Sequence, residues 1–182
     1  MPAGSASGGP LGHIRSRWAY YRRVFSAYVL GGTSHLTFWH DTPQVNEDAP
    51  VGRLGQYHMP FLEKAAYSGP FDPLGVPLLD YRGSLGRQYN PIAVAQFGLG
   101  NYNLHFRIGS DDALKKWTLA ADWLVDHLES NPKNVPVWNH HFDFEYRDTL
   151  RAPWYSALAQ GQGISMLVRA HQQTNDLKYL DT

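Results

Sequence analysis

The chain has no cysteine among its 182 residues, which excludes disulfides, thiolate metal sites and cysteine nucleophiles. It has no excess of charge: 16 basic residues balance 16 acidic ones. Binding by phosphate neutralisation is not expected from that balance, so no nucleic-acid partner is predicted. No run approaches the ~18 uninterrupted apolar residues of a transmembrane helix. Residues 1–14 are mostly Gly, Ser, Ala and Pro and read as a disordered leader. They lack the charged start and apolar stretch of a secretory signal, so a soluble, by default cytoplasmic, protein is expected.

What remains is aromatic. There are 11 Tyr, 8 Phe and 6 Trp, with 17 Gly and 12 Pro, in a chain only 18% charged. Sugar rings stack on aromatic faces, so this composition fits a carbohydrate-handling surface; it fits an aromatic core equally well. Residues 15–182 suit a single domain, or part of one. Arg15 to Arg23 mixes arginine with Trp18, Tyr20 and Tyr21. It reads as a solvated first helix, or as a basic membrane-surface helix. Val24 to Leu30 and His35 to Trp39, joined by Gly31-Gly32-Thr33-Ser34, predict a short N-terminal β-hairpin.

Further on, Pro60 precedes a short helix within Gln56 to Tyr67, and Ser68 to Pro77 is too rich in Pro and Gly to be regular. Helical periodicity then dominates. Pro91 to Tyr102 is apolar nearly all round. Asp111 to Leu128 is amphipathic behind the caps Ser110 and Asp111, with Leu114, Trp117, Ala121, Leu124, Val125 and Leu128 at three- and four-residue steps. Asn131 to Pro136 breaks the chain, and Val137 to Tyr146 alternates as a short strand or extended loop. Trp154 to Gln172 is helical again, and a further helix opens at Asp176. Ala93-Val94-Ala95-Gln96 is echoed by Ala157-Leu158-Ala159-Gln160. Two apolar small-residue helices flanking an amphipathic one suggest an inner and an outer helix layer, so the fold class is mainly α.

Three stretches carry a family resemblance: Tyr89-Asn90-Pro91-Ile92-Ala93-Val94-Ala95-Gln96-Phe97-Gly98-Leu99, then Ala120-Ala121-Asp122-Trp123-Leu124, then Trp154-Tyr155-Ser156-Ala157-Leu158-Ala159-Gln160-Gly161-Gln162-Gly163-Ile164-Ser165. Their order and spacing resemble the catalytic domain of the D-glucuronyl C5-epimerase family. The resemblance implies part of an (α/α) toroid of paired helices, an N-terminal portion of that domain. It also implies inversion of glucuronate to iduronate in heparosan or heparan-type polysaccharides, with no metal or cofactor required.

Epimerisation at C5 removes a proton α to a carboxylate. That demands an acid and a base on opposite ring faces, and a partner for the charge that develops on the carboxylate. Tyr89, matching the family motif, and Tyr155 are the first candidates for proton transfer, with Tyr146 and Glu145 as further ones. Arg87 is a candidate carboxylate clamp. Asn90, Gln96, Gln160 and Gln162 offer amides to sugar hydroxyls, or tie helices together. Trp138, Phe142, Tyr146 and Trp154 are expected as stacking surfaces, with His141 beside them. Alternation puts His141, Asp143 and Glu145 on one face, weak evidence for a metal site. Arg169, near the end of its helix, is expected to face solvent or the helix C-terminal dipole. A polysaccharide lyase and a non-catalytic glycan-binding or scaffold protein are the alternatives. An open toroid leaves apolar helix faces in water, so a homo-oligomer is predicted.

Overall fold

In a computed structural model, the structure describes residues 18, 21, 22, 25, 29, 44–51, 54–81, 84–145 and 148–181. The expected leader lies outside the described residues, as do Tyr146 and all of the expected N-terminal hairpin except Phe25 and Val29, which depart from it: Phe25 is helical and its carbonyl accepts from the Val29 amide four residues on (2.9 Å), a helical turn rather than a strand.

Three long helices organise the rest. A one-turn helix α1 (Leu62–Ala65) precedes α2 (Pro91–Ile108), α3 (Asp111–Asp126) and α4 (Ala157–Thr174), and a 3-10 turn, Leu177–Tyr179, follows. Local chemistry fixes each start. Asn90 caps α2, its Oδ1 accepting from the Ile92 and Ala93 amides, with Pro91 at the first helical position. Ser110 caps α3 through the Ala113 amide, and Ser156 caps α4 through the Ala159 amide. Gly109, at φ 67°, ends α2 in the left-handed conformation that glycine tolerates. The chain therefore reverses within two residues, and α2 and α3 form an antiparallel hairpin.

α2 is the central helix, with twelve of its eighteen residues buried. At Gly98 it meets both neighbours: a Cβ there would lie 2.9 Å from the Ala120 Cβ of α3 and 3.1 Å from the Met166 sulfur of α4. The amphipathic stripe expected of α3 is present in part: Trp117, Ala121 and Leu124 are buried, together with Ala113, Ala120 and Trp123, whereas Leu114 is exposed and Val125 and Leu128 are partly buried. Around this core, Val94, Leu99, Tyr102, Trp138, Met166 and Leu167 complete one apolar cluster. Burial of this kind contributes roughly 1.5–3 kcal/mol per large side chain.

Arg169 departs from expectation. It is buried, with Nε donating to the Gly55 carbonyl (2.7 Å), Nη1 to Ser165 (2.9 Å), and its guanidinium 5.1 Å above the Tyr57 ring. It clamps the segment before α1 onto α4, so it is a structural tie rather than a solvent-facing charge. Asn103 of α2 holds the same segment through the Tyr57 amide and the Tyr57 and Met59 carbonyls.

Three two-stranded antiparallel pairs decorate the helices. β1 (Leu79–Asp80) pairs with β2 (Arg87–Gln88), β3 (Glu129–Ser130) with β4 (Pro136–Val137), and β5 (Phe144–Glu145) with β6 (Thr149–Leu150). The last two fall where a chain break and an alternating segment are expected. The alternation is kept: His140, Phe142 and Phe144 point inward, whereas His141, Asp143 and Glu145 do not.

His140 is fully buried, stacked on Trp154 at 3.8 Å with nearly parallel rings. Its Nδ1 lies 3.3 Å from the Trp154 carbonyl, which can only accept, so Nδ1 carries the hydrogen. Nε2 has no partner, and burial pushes the imidazole down to about 4. The folded chain therefore keeps His140 neutral where the unfolded chain, with an ordinary histidine near ~6.5, takes up a proton. Stability is predicted to fall as pH drops from about 6.5 to about 4, by roughly 3 kcal/mol in all. Urea unfolding at pH 7 and pH 4.5 checks this: His140→Phe, with no proton to gain, should lose markedly less stability on acidification than the parent chain. An equal loss in both would refute it.

Candidate active site

The hairpin β1–β2 delivers Arg87 and Tyr89 to one place. Asp80 is opposite Arg87 in the register, and the chain runs from β2 through Tyr89 directly into the Asn90 cap of α2. Beside them the loop expected to be irregular folds around Asp72. Its Oδ1 accepts from the Leu74 amide (2.9 Å) and the Val76 amide (2.8 Å), and its Oδ2 accepts from the Tyr89 hydroxyl (2.7 Å). Phe71, Asp72, Pro73, Leu78, Arg87, Gln88 and Tyr89 line one open groove of about 740 Å³.

The electrostatics follow from that contact. Partial burial, then the hydrogen bond to Asp72 and its charge, push the Tyr89 phenol up to about 12. Desolvation works against ionisation of Asp72, but the bonds from Tyr89, Val76 and Leu74 outweigh it and hold the carboxyl below its usual range. At neutral pH the groove thus presents a protonated phenol hydrogen-bonded to a carboxylate, with Arg87 elsewhere on its lining. Tyr89 is 38% exposed, so its hydroxyl edge is reachable from solvent. The other side of its ring packs on Trp123 (centroids 5.4 Å apart), which stacks in turn on His127 (4.1 Å).

Asp72 was not singled out from the sequence. Its signal is local: an aspartate two residues before Leu74 and four before Val76, inside a Pro/Gly-rich loop, is the pattern of a side chain that caps its own turn. Its bond to Tyr89, seventeen residues on, has no local signature.

The remaining candidates are placed elsewhere or spent on structure. Asn90 caps α2 and its amide donates to the Tyr81 hydroxyl (2.7 Å). Gln96 Nε2 donates to Gln162 Oε1 (3.0 Å) in the buried seam between α2 and α4, leaving Gln96 Oε1 without a partner. Gln160 accepts from the Trp138 amide and donates to the Trp138 carbonyl. Two of the expected stacking surfaces are corrected here. Trp138 is 2% exposed, its indole N–H bonded to the Leu124 carbonyl and its ring laid against Gly163, and Phe142 is buried against Tyr81. Neither offers a face to a ligand, because Trp138 fills the interior against α4 and Phe142 packs among Tyr81, His140 and Trp154. Trp154 is half-buried: one ring face covers His140 and its N–H bonds to the Phe142 carbonyl.

Tyr155 is exposed just before the Ser156 cap. His141 Nε2 lies 2.8 Å from Glu129, which also accepts from Asn139 (2.8 Å), an exposed cluster at the surface. Asp143 pairs with Arg151 and accepts from the Ala152 amide. Glu145 is half-exposed on β5. Among the described residues no group of three or more His, Asp or Glu has the arrangement of a metal site. Arg87 and Tyr89 are thus the two expected site residues that share a groove.

Fold and groove together describe a mainly helical protein with a phenol, a carboxylate and a guanidinium gathered at the entry to its central helix. Residues 133–182 match the family described as D-glucuronyl C5-epimerase C-terminus. A D-glucuronyl C5-epimerase from Caenorhabditis elegans is 45% identical over 62 residues, which cover 34% of this chain and 10% of that protein. The aligned stretch thus spans about a tenth of that relative's length. No solved structure matches the chain. The groove, built from residues 71–89, lies outside the matched segment, whereas Trp154, Tyr155, Gln160 and Gln162 lie inside it.

Proposed function

We propose that this chain is a carbohydrate epimerase unit that inverts C5 of D-glucuronate residues in a heparosan or heparan-type polysaccharide. The observation that carries the reading is the Tyr89–Asp72–Arg87 groove in a chain whose residues 133–182 match the D-glucuronyl C5-epimerase C-terminus family. Arg87 binds the sugar carboxylate and offsets the charge that develops there. A base on one face of the ring takes the C5 proton, and the electron pair of the C–H bond moves into the carboxylate as an enediolate. Tyr89, protonated at neutral pH, delivers a proton to the opposite face of C5. The C–H bond re-forms with inverted configuration, and the phenolate regains its proton from solvent.

Tyr89 is held in its acid form; of the other expected proton-transfer residues, Tyr155 and Glu145 do not line this groove and are not proposed as its base. On this reading the helices are part of an (α/α) toroid. The exposed Leu158 and Ile164 on α4 are then apolar surface that a second copy covers in a homo-oligomer.

Incubating heparosan with the full chain in deuterated water tests the reaction. Deuterium should appear at C5, in both glucuronate and iduronate residues. An unsaturated, ultraviolet-absorbing end would show a lyase instead, because the C4 oxygen would have left. Binding without exchange would show a glycan-binding protein.

A further inference from the structure

A second cavity, of about 280 Å³, takes no part in that chemistry. It lies between α1, α2 and the extended segment that leads into β1. Pro77, Leu79, Ala93 and Phe97 make an apolar wall. Glu63, Lys64 and Ser68, on α1 and just after it, supply the polar groups, and Tyr67 also lines the space. Along the extended segment Leu78 alternates with Pro77 and Leu79, so it lines the groove of Tyr89 while its two neighbours line this cavity. The two spaces are thus back to back. Phe71, on the groove, contacts Tyr67 (ring centroids 5.5 Å apart) and Phe97 (5.9 Å) of the cavity.

We propose that this cavity binds a small aromatic carboxylate, its ring against Phe97 and Leu79 and its charge at Lys64. Three features select that ligand. The volume is just under the ~300 Å³ of the smallest drug-sized sites, which suits one ring with a short side chain. The charges differ in burial: Lys64 is 7% exposed, whereas Glu63 stands in solvent. A cation withdrawn from water favours an anion beside it. Its ammonium has three donors, enough for a ligand oxygen in addition to contacts within the protein. Finally, the apolar wall has no side-chain group for sugar hydroxyls, and the Tyr67 hydroxyl already donates to the Leu78 carbonyl (2.7 Å). Burial and then the charge of Asp80 push that phenol up, so Tyr67 stays a neutral ring rather than a second anion. The site is independent of the epimerase reading.

The test is nuclear magnetic resonance of the full chain, its phenylalanine rings isotopically labelled, with added phenylacetate or its neutral amide, phenylacetamide. Phenylacetate should shift the Phe97 ring saturably. Phenylacetamide should need at least about tenfold more to do so, the worth of a charge-assisted hydrogen bond. Lys64→Met should remove that difference by weakening binding of the acid alone. Ala93→Leu, which fills the cavity, should weaken binding of both about tenfold or more without lowering the thermal unfolding midpoint. Excess heparosan oligosaccharide should leave phenylacetate in place. A silent Phe97 ring, equal affinity for acid and amide, or displacement by heparosan would overturn the proposal, and these titrations of the parent chain decide it even where a variant fails to fold. A folded Ala93→Leu that binds like the parent would overturn it too.

Discussion

Tyr89→Phe is expected to lower C5 deuterium incorporation into heparosan by about a thousandfold, within the ~10²–10⁴ range of a single general acid or base. The substitution removes one oxygen and leaves the ring. The ring packs on Trp123, and the Asn90 cap that fixes the start of α2 is untouched, so the fold should survive. The hydroxyl that is lost is the one bonded to Asp72 in the groove with Arg87. Asp72 keeps its Leu74 and Val76 bonds through its other oxygen, and the loop stays in place. Polymer affinity should therefore change far less than exchange, since Arg87 still meets the carboxylate. Exchange in Tyr89→Phe within a few-fold of the parent would remove the phenol from the mechanism.

The second large effect is on stability. A Cβ at Gly163 would lie 2.5–2.8 Å from three carbons of the Trp138 ring. The ring has no room to yield. Its indole N–H is bonded to the Leu124 carbonyl, and its own amide and carbonyl are bonded to the Gln160 side chain. Gly163→Ala then forces α4 away from the segment that carries Trp138. Overpacking of this kind costs roughly 1–3 kcal/mol, and the upper end applies because both partners are tied. Exposed Gly161, two residues earlier on α4, has nothing within 4 Å of its Cβ position, and Gly161→Ala serves as the neutral or mildly stabilising control. Urea unfolding of the two variants settles the matter: equal midpoints would mean that Trp138 is not fixed as described.

Much of this architecture was legible in the residues, for identifiable reasons. Pro91 marks the start of α2 because a first-turn proline is a local device, and Ser110 marks α3 as a side-chain cap, whereas the capping role of Asn90 was not read from the sequence. The buried stripe of α3 follows from its 3.6-residue period. The inward and outward alternation of His140 to Glu145 follows from the two-residue period of extended chain. What escaped is what depends on distant partners. Arg169 looks like a surface residue until its contact with Gly55, 114 positions earlier, is seen. Trp138 and Phe142 look like stacking surfaces until α4 and Tyr81 close over them. The helix expected from Trp154 begins three residues later, because Trp154 is held in a bridge to His140 and Ser156 takes the cap. Asp72 shows its turn-forming habit in sequence and its partnership with Tyr89 only in space.

Ring resonances of isotopically labelled tyrosine, followed by nuclear magnetic resonance as heparosan oligosaccharide is added, test most directly whether a uronate occupies the groove. If the carboxylate sits on Arg87 beside the phenol, Tyr89 shifts saturably and the shift needs about tenfold more oligosaccharide in Arg87→Ala, roughly the worth of a charge-assisted hydrogen bond. Oligosaccharide that binds while Tyr89 stays silent, or a Tyr89 shift indifferent to Arg87→Ala, would place the sugar elsewhere and contradict the proposed site.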